Sequence, residues 1–144
     1  QPDDAFFHEF RGDILMSLAQ PVAAAIAYET AIKLRPDSPQ ILLNLGRALV
    51  ATQDKARLLR AIAALELAVR GEPGWAFAHR QLAIAYGRAG QIAAADITLA
   101  DEAVLRQDKE QAIRMARRVI KRPEIAADIR NRANDILFRF GAAE

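Results

Sequence analysis

The histidines and their neighbouring carboxylates are the side chains best suited to chemistry. His8 and Glu9 open the segment HEFRG, which starts like the zinc-binding motif H-E-x-x-H but has Gly12 in place of the second histidine. In that motif two imidazoles on one helix face hold the metal and the glutamate acts as a base. The only other histidine is His79, and the chain has no cysteine. The sequence therefore predicts no metal or other cofactor in this chain, and both histidines are interpreted as packing residues.

Other catalytic patterns are missing from the sequence. It contains no G-x-x-x-x-G-K or G-x-G-x-x-G phosphate loop and no G-x-S-x-G elbow, and its two serines, Ser17 and Ser38, have no nearby base. The aspartates and glutamates are interpreted as charges on helix surfaces. We therefore predict that this chain is not an enzyme.

Composition and charge favour a helical protein. Hydrophobic residues make up 52% of the chain, many of them alanine, and aromatics only 6%. Alanine has the highest helix propensity and allows close helix packing. A net charge of +2 is too balanced to indicate nucleic-acid binding. No apolar run approaches the length of a membrane span.

The C-terminal part, residues 106–144, carries a local net charge of +4. A solvated helix face is the simplest interpretation, and an acidic partner, a nucleic acid or an anionic membrane are the functional alternatives. Nucleic acid is the weakest of these because no aromatic side chains interleave with the charges. The cluster comprises Arg114, Arg117, Arg118, Lys121 and Arg122.

Prolines and glycines divide the sequence into apolar-periodic stretches, with Ser38 as a predicted N-cap and Pro39 as the first residue of its helix. We expect an all-α chain, since no strand-like alternation persists. The predicted helices cover about 3–18, 21–35, 39–51, 57–71, 75–89, 91–105, 108–121 and 124–140.

The stretches repeat with a period near 34 residues. The first repeat has small residues at Gly12, Ala24 and Ala31, an aromatic residue at Tyr28, and a proline that ends the repeat at Pro36. The second repeats them at Gly46, Ala61, Leu65, Ala68 and Pro73 after a three-residue insertion, which we place in a lengthened turn within ATQDKARLL. In the third, Glu102 stands where alanine is expected, and a weaker fourth hairpin has Ala112 at its small position.

The third repeat shows why small residues recur. Two helices of one hairpin can cross closely only where their side chains are small, so Ala83 and Ala95 are predicted to be buried at the crossing, with Tyr86 beside them. Gly90 is predicted to end the first helix in a left-handed conformation. One hairpin cannot bury both its faces, so neighbouring hairpins must stack.

This register resembles the tetratricopeptide repeat (TPR) family. The resemblance implies an α-solenoid of stacked helical hairpins, a right-handed superhelix of about eight helices. It implies a single domain over residues 1–144, with repeats at about 5–38, 39–75 and 76–107 and a degenerate hairpin with a capping helix at 108–140.

A narrower resemblance lies in DDAFFHEFRGDILMSLAQPVAAAIAYETAIKL and in RQLAIAYGRAG with the following LADEAVLRQDKEQAIRMA run. These segments are similar to the C-terminal TPR tail of BepA-like periplasmic zinc metallopeptidases. That likeness implies a protein-binding tail linked to envelope quality control, with zinc only in an upstream domain and membrane association only through the host protein. The segment QPDDAFF lacks signal-peptide features and is interpreted as a cut within a longer protein.

The resemblance also implies a concave groove that binds a protein or peptide and is lined by the first helix of each hairpin. Asn44, Arg47 and Arg80 resemble part of the set with which some TPR proteins hold a carboxylate, although the lysines of that set are missing here. A solvated helix face is the alternative for these arginines. The candidate groove residues are Phe6, Glu9, Asp13, Asn44, Arg47, Phe77, Arg80, Ile84 and Arg88.

Two other functions stay open at this stage: a free-standing TPR adaptor, and a structural lid packed on the host's own catalytic domain. The lack of cysteine fits the periplasm, and the cytoplasm is the alternative. The sequence identifies neither the partner nor the oligomeric state.

Overall fold

A computed structural model describes residues 3–142, which form eight α-helices and no strand. The predicted all-α class and helix number are confirmed. The ends of the predicted domain, residues 1, 2, 143 and 144, lie outside the described part. The helices are α1 (Ala5–Ser17), α2 (Pro21–Leu34), α3 (Pro39–Ala51), α4 (Lys55–Gly71), α5 (Ala76–Arg88), α6 (Ile92–Leu105), α7 (Lys109–Ile120) and α8 (Ala127–Arg139).

The helices form two compact units, and each is described by itself. Unit 1 covers residues 1–73 and contains α1 to α4; unit 2 covers residues 74–144 and contains α5 to α8. Within each unit, helices adjacent in sequence pack against one another, and in unit 2 α8 also contacts α6. The predicted single domain and its repeat boundaries stay predictions.

In unit 1 two glycines allow the helices of each hairpin to meet. A Cβ at Gly12 would lie 2.5 Å from the Tyr28 ring, and one at Gly46 would lie 2.4 Å from Cγ of Leu65. Both distances are well below van der Waals contact, so only glycine fits without displacing a buried neighbour. This steric requirement explains the small position that recurs in the first two repeats.

The turns inside four hairpins share one design. Each has three residues, and the middle residue is left-handed: Ala19 (φ 56°), Gln53 (58°), Gly90 (78°) and Gln107 (61°). The positive φ predicted for Gly90 is therefore confirmed. The same geometry occurs three times with a side chain, which costs backbone strain that glycine avoids.

These equal turns overturn the predicted lengthened turn within ATQDKARLL. The connection between α3 and α4 is residues 52–54, as short as the others. The three inserted residues instead lengthen α4, which has 17 residues against 14 in α2. Asp54 caps the longer helix, because its side chain accepts a hydrogen bond from Ala56 N. The helix therefore begins at Lys55 rather than at 57. Smaller differences occur elsewhere: α1 begins at Ala5 rather than 3, and α8 at Ala127 rather than 124.

Unit 2 is built largely on alanine. Ala83 and Ala95 are 4% and 7% exposed, which confirms their predicted burial, and Ala112 is fully buried. At its C-terminal end, α8 packs with Ala133, Ile136 and Leu137 in one cluster with residues of α6 and α7. The predicted capping role of the helix at the C-terminal end stays a prediction.

Two carboxylates contradict the interpretation of all acidic residues as surface charges. Asp96 and Glu102, both on α6, are only 5% and 4% exposed. Burying a charge is costly unless it is paired. Both are paired with arginines, as described below, so unit 2 contains two internal ion networks that periodicity alone did not reveal.

Candidate functional site

The exposed face of α1 carries an aromatic pair. Phe6 is 71% exposed and Phe10 57%, and their rings stack with centroids 6.5 Å apart. The opposite face of α1 holds its buried residues, Ala5 and Gly12. The helix therefore packs through its small residues and leaves both phenylalanines accessible.

Beside this pair, a chain of polar groups joins α1 to α3. Gln40 Nε2 donates to Asn44 Oδ1 at 3.3 Å, and Asn44 Nδ2 donates to Glu9 Oε1 at 3.4 Å. Burial, and then the neighbouring Asp13 carboxylate, raises the pKa of Glu9, while Arg35 acts in the opposite direction. Asn44, 8% exposed, thus serves first as an internal linker between the two helices.

Asp13 is also engaged within unit 1. The Tyr28 hydroxyl donates a hydrogen bond of 2.6 Å to Asp13 Oδ1. Burial and this bond raise the pKa of Tyr28 above its ordinary value of 10.0, and Arg47 opposes the shift. Arg47 itself is exposed on α3. The structure therefore brings Glu9, Asp13, Asn44 and Arg47 into one polar neighbourhood.

In unit 2 the candidate residues of α5 are partly accessible. Phe77 is 43% exposed and Ile84 40%, and Arg88 is exposed. Phe77 lies against Trp75, with ring centroids 6.5 Å apart. These residues offer apolar and cationic contacts on α5.

Arg80 differs from the other candidates because it has an internal partner. Its Nη1 lies 3.3 Å from Glu102 Oε2, and Arg106 Nε lies 2.8 Å from Glu102 Oε1. The arginine side chains are 56% and 49% exposed while the carboxylate side chain is 6% exposed. Arg80 therefore neutralises a buried charge before it can hold a ligand. The departure from alanine at position 102 was the sequence signal for this network.

A second network involves the basic cluster of α7. Asp96 Oδ2 lies 3.2 Å from Arg118 Nε and 3.3 Å from Arg122 Nη2. Two of the five clustered cations thus have a structural partner on α6. These two residues thus do more than form a solvated face, although the Arg118 side chain is still 58% exposed.

The histidines lie apart from any metal-like arrangement. His79 is 8% exposed, in line with its predicted packing role, and His8 is half-buried with its ring edge-to-face against Phe7. Within residues 3–142, no three His, Asp or Glu side chains are placed to hold a metal ion together. In the same part of the chain, no helix has the length and apolar character needed to cross a membrane.

The candidates thus fall into two groups, with Phe6, Glu9, Asp13, Asn44 and Arg47 in unit 1 and Phe77, Arg80, Ile84 and Arg88 in unit 2. Each group is formed within its own unit. One continuous groove across all of them stays a prediction.

Comparisons with known proteins support the fold. The crystal structure of MamA matches 97% of this chain and 78% of its own, with a TM-score of 0.69 at 17% identity. A crystal structure of TTC0263, a thermophilic TPR protein in Thermus thermophilus, covers 93% of this chain and 99% of its own at 19% identity. Its TM-score of 0.30 is too low to support a shared fold. At 17% identity the likeness to MamA shows the fold alone, and that fold resembles the TPR solenoid. No protein-family model and no curated protein sequence matches the chain.

Proposed function

We propose that this chain is a protein-interaction module that binds a peptide or a partner domain through the exposed faces of α1, α3 and α5. The observation that carries the proposal is the placement of apolar side chains on these helices. Phe6 at 71% and Phe77 at 43% exposure remain accessible, although their helices have ample small residues buried on the opposite side. Accessible aromatic anchors flanked by polar groups are typical of binding surfaces.

The TPR-like fold adds general support, since TPR proteins serve as protein-binding scaffolds. Fold alone does not determine function. The two groups of side chains give the more specific support. The unit 1 group combines aromatic rings with carboxylates, an amide and one guanidinium, whereas the unit 2 group combines apolar side chains with Arg88. A partner would insert an apolar side chain beside Phe6 in unit 1 or beside Phe77 in unit 2.

A pull-down from a bacterial envelope extract tests this proposal. We expect Phe6→Ala/Phe77→Ala to lose a partner that the wild type recovers, while thermal stability changes little because both rings are exposed. Phe138→Ala is the matched control, since Phe138 is 80% exposed on α8. Recovery of every partner by the double variant as by the wild type would contradict the proposal.

Charge reversal at Arg47 and Arg88 tests the polar part of the same surfaces. Arg80 is a poor choice, because reversing it would place a second carboxylate against Glu102. We expect Arg47→Glu/Arg88→Glu to weaken binding of an acidic partner most strongly at low ionic strength. Equal binding by wild type and variant over a salt titration would show that these guanidiniums only cover a solvated face.

We further propose that the module is the non-catalytic tail of a zinc metallopeptidase in the periplasm, where it would bring substrates or assembly factors to the protease. The support is the likeness of the two quoted segments to BepA-like tails. The upstream reading frame provides the test: an H-E-x-x-H helix before residue 1 is expected. Its absence would favour the free-standing adaptor, whereas protection of α1 from hydrogen exchange by an upstream catalytic domain would favour the lid.

A further inference from the structure

The basic residues of α7 divide into two classes. Arg118 and Arg122 are tied to the buried Asp96. In contrast, Arg114, Arg117 and Lys121 are exposed and form no ion pair with any residue in the 3–142 range. Arg114 only donates a hydrogen bond of 2.8 Å to Gln111 Oε1, a neutral acceptor on its own helix. The stability of unit 2 thus accounts for two of the five charges and leaves three unexplained.

The three remaining cations share a surface. Together with Glu110, Ile113 and Arg118 they line an open depression along α7, in which Arg118 is already paired with Asp96. Arg114 and Lys121 are seven residues apart, so two turns of helix separate them by about 10 Å along its axis. Ile113, half-buried, supplies an apolar floor, and Glu110 places one negative charge at the N-terminal end.

The favourable effect of cations at a helix C-terminus explains only part of this arrangement. That effect is confined to the last turn. Arg117 belongs to the last turn of α7 and Lys121 is its C-cap, but Arg114 lies in the middle of the helix. A line of cations extending from the middle of the helix to its end has a use if a partner supplies the opposite charges.

We propose that this depression is a docking surface for an acidic segment of a partner protein. The partner would place two or three carboxylates, spread over about 10 Å, against Arg114, Arg117 and Lys121, and an apolar side chain on Ile113. A cationic or neutral residue would lie opposite Glu110, which fixes the direction of the segment. None of these residues is among the candidate residues of α1, α3 and α5, so the proposal extends the proposed function and can fail without it.

The chemistry favours a protein segment over the other polyanions. Three cations could neutralise only a few phosphates, whereas non-specific nucleic-acid binders make many such contacts. No aromatic ring lines the depression on which a base could stack. Glu110 would repel a uniformly anionic surface, whether nucleic acid or lipid headgroups, but it suits a segment of mixed sequence.

Fluorescence anisotropy with a synthetic peptide tests the proposal on the whole chain. The probe is a labelled helical peptide of about 20 residues with three glutamates and one leucine along one face and a lysine at one end. A second peptide of the same composition spreads the glutamates around the helix. We expect the first peptide to bind more tightly than the second, and its affinity to fall as salt rises from about 50 to about 200 mM.

Charge removal then locates the binding. We expect Arg114→Gln/Arg117→Gln/Lys121→Gln to bind the first peptide about tenfold more weakly. The control Lys33→Gln/Lys55→Gln/Arg70→Gln removes the same charge from exposed cations of unit 1 and is expected to bind as the wild type does. Circular dichroism melts of both variants show whether each is folded, and single substitutions at Arg114 and Arg117 give a fallback if the triple variant is not.

Three results would overturn the proposal. One is equal binding of the two peptides, and another is equal binding by the triple variant and the wild type. The third is that the wild type binds a single-stranded oligonucleotide, or vesicles containing phosphatidylserine, more tightly than it binds the first peptide, while the triple variant does not. That result would assign the surface to a nucleic acid or a membrane instead.

Discussion

The two units have different residues at the repeat position where alanine is expected in the second helix of each hairpin. In unit 1 it holds Ala31 and Ala68, both fully buried, and in unit 2 it holds Glu102, which is 4% exposed. The neighbouring positions explain the difference. In unit 2, Arg80 and Arg106 lie against the Glu102 carboxylate. The equivalent positions of the second repeat are occupied by Leu43 and Glu72. The buried charge thus occurs in the repeat that also has two arginines to pair with it.

The small position differs as well. Unit 1 uses Gly12 and Gly46, against which Tyr28 and Leu65 pack closely, while unit 2 has Ala83 at the corresponding place. At the small position unit 1 thus has glycine packed against an apolar or aromatic side chain, whereas unit 2 has alanine there and pairs two buried carboxylates with arginines. The same repeat can be stabilised by tight packing or by paired charges, and the two solutions should respond differently to mutation.

Transplanting the carboxylate should have the largest effect. We expect Ala68→Glu to destabilise the protein by about 4 kcal/mol or more, because a charge would replace a fully buried alanine in a repeat that has Leu43 and Glu72 in place of the two arginines. Urea unfolding followed by circular dichroism measures the loss. Trp75, the single tryptophan, reports on unit 2 by fluorescence and shows whether the damage stays in unit 1.

The reciprocal change is the control for that prediction. Glu102→Ala should cost less, about 2 kcal/mol, because Arg80 and Arg106 are about half exposed and can turn to solvent. Should Ala68→Glu prove no more harmful than Glu102→Ala, the contrast between the units would lose its basis.

An added methyl group tests the packing of unit 1. Gly46→Ala should destabilise by about 1–2 kcal/mol, since its Cβ would lie 2.4 Å from Leu65 Cγ and Leu65 is fully buried. Gly87→Ala on α5 is the matched control: nothing lies within 4 Å of the added atom, so a gain of about 0.5–1 kcal/mol is expected from helix propensity. Thermal melts of both variants measure the two changes in stability. Equal shifts of the melting temperature in the same direction would contradict the close packing proposed at Gly46.

The left-handed turn residues should give a smaller effect. Gly90→Ala is expected to cost about 1 kcal/mol, because the space around its Cβ is open and only the positive φ is strained. Gln53→Gly in unit 1 should do the reverse and stabilise by about 0.5 kcal/mol. Chemical denaturation of the two variants provides the measurement, and a loss of stability in Gln53→Gly would show that its side chain contributes more than its backbone costs.

The sequence predicted the features that depend on local periodicity. The helix number, the Ser38 cap, the positive φ of Gly90 and the burial of Ala83 and Ala95 follow from helix propensity, capping and the small positions. The insertion was misplaced because Gln53 takes a conformation usually given to glycine, so the turn needed no extra residue. Local reasoning offers no signal for that substitution.

Long-range charge pairing could not be predicted in the same way. Asp96 has its partners 22 and 26 residues later, at Arg118 and Arg122, and nothing in the spacing connects them. The surface position predicted for Asp96 is therefore wrong, and the sequence did not connect Arg80 with Glu102. Glu102 was the one available clue, since a charge at an alanine position requires a partner if it is buried.

The smallest expected effect concerns the polar neighbourhood of unit 1, formed by Glu9, Asp13, Asn44 and Arg47. Burial raises the pKa of Glu9 above the ordinary value of 4.5, so the folded carboxyl keeps its proton to a higher pH than the unfolded one. The stability this provides is complete below 4.5 and is lost as the pH rises through the folded pKa. Glu9→Gln should remove the dependence, so the stability of the variant relative to wild type should increase with pH across that window.

Asp13→Asn should narrow the window, because the neighbouring carboxylate is the second cause of the shift, while an amide oxygen can still accept the Tyr28 hydroxyl bond. Melting temperatures between about pH 4 and 8 measure the differences. A constant offset between wild type and Glu9→Gln at every pH would mean that Glu9 titrates alike in the folded and unfolded chains.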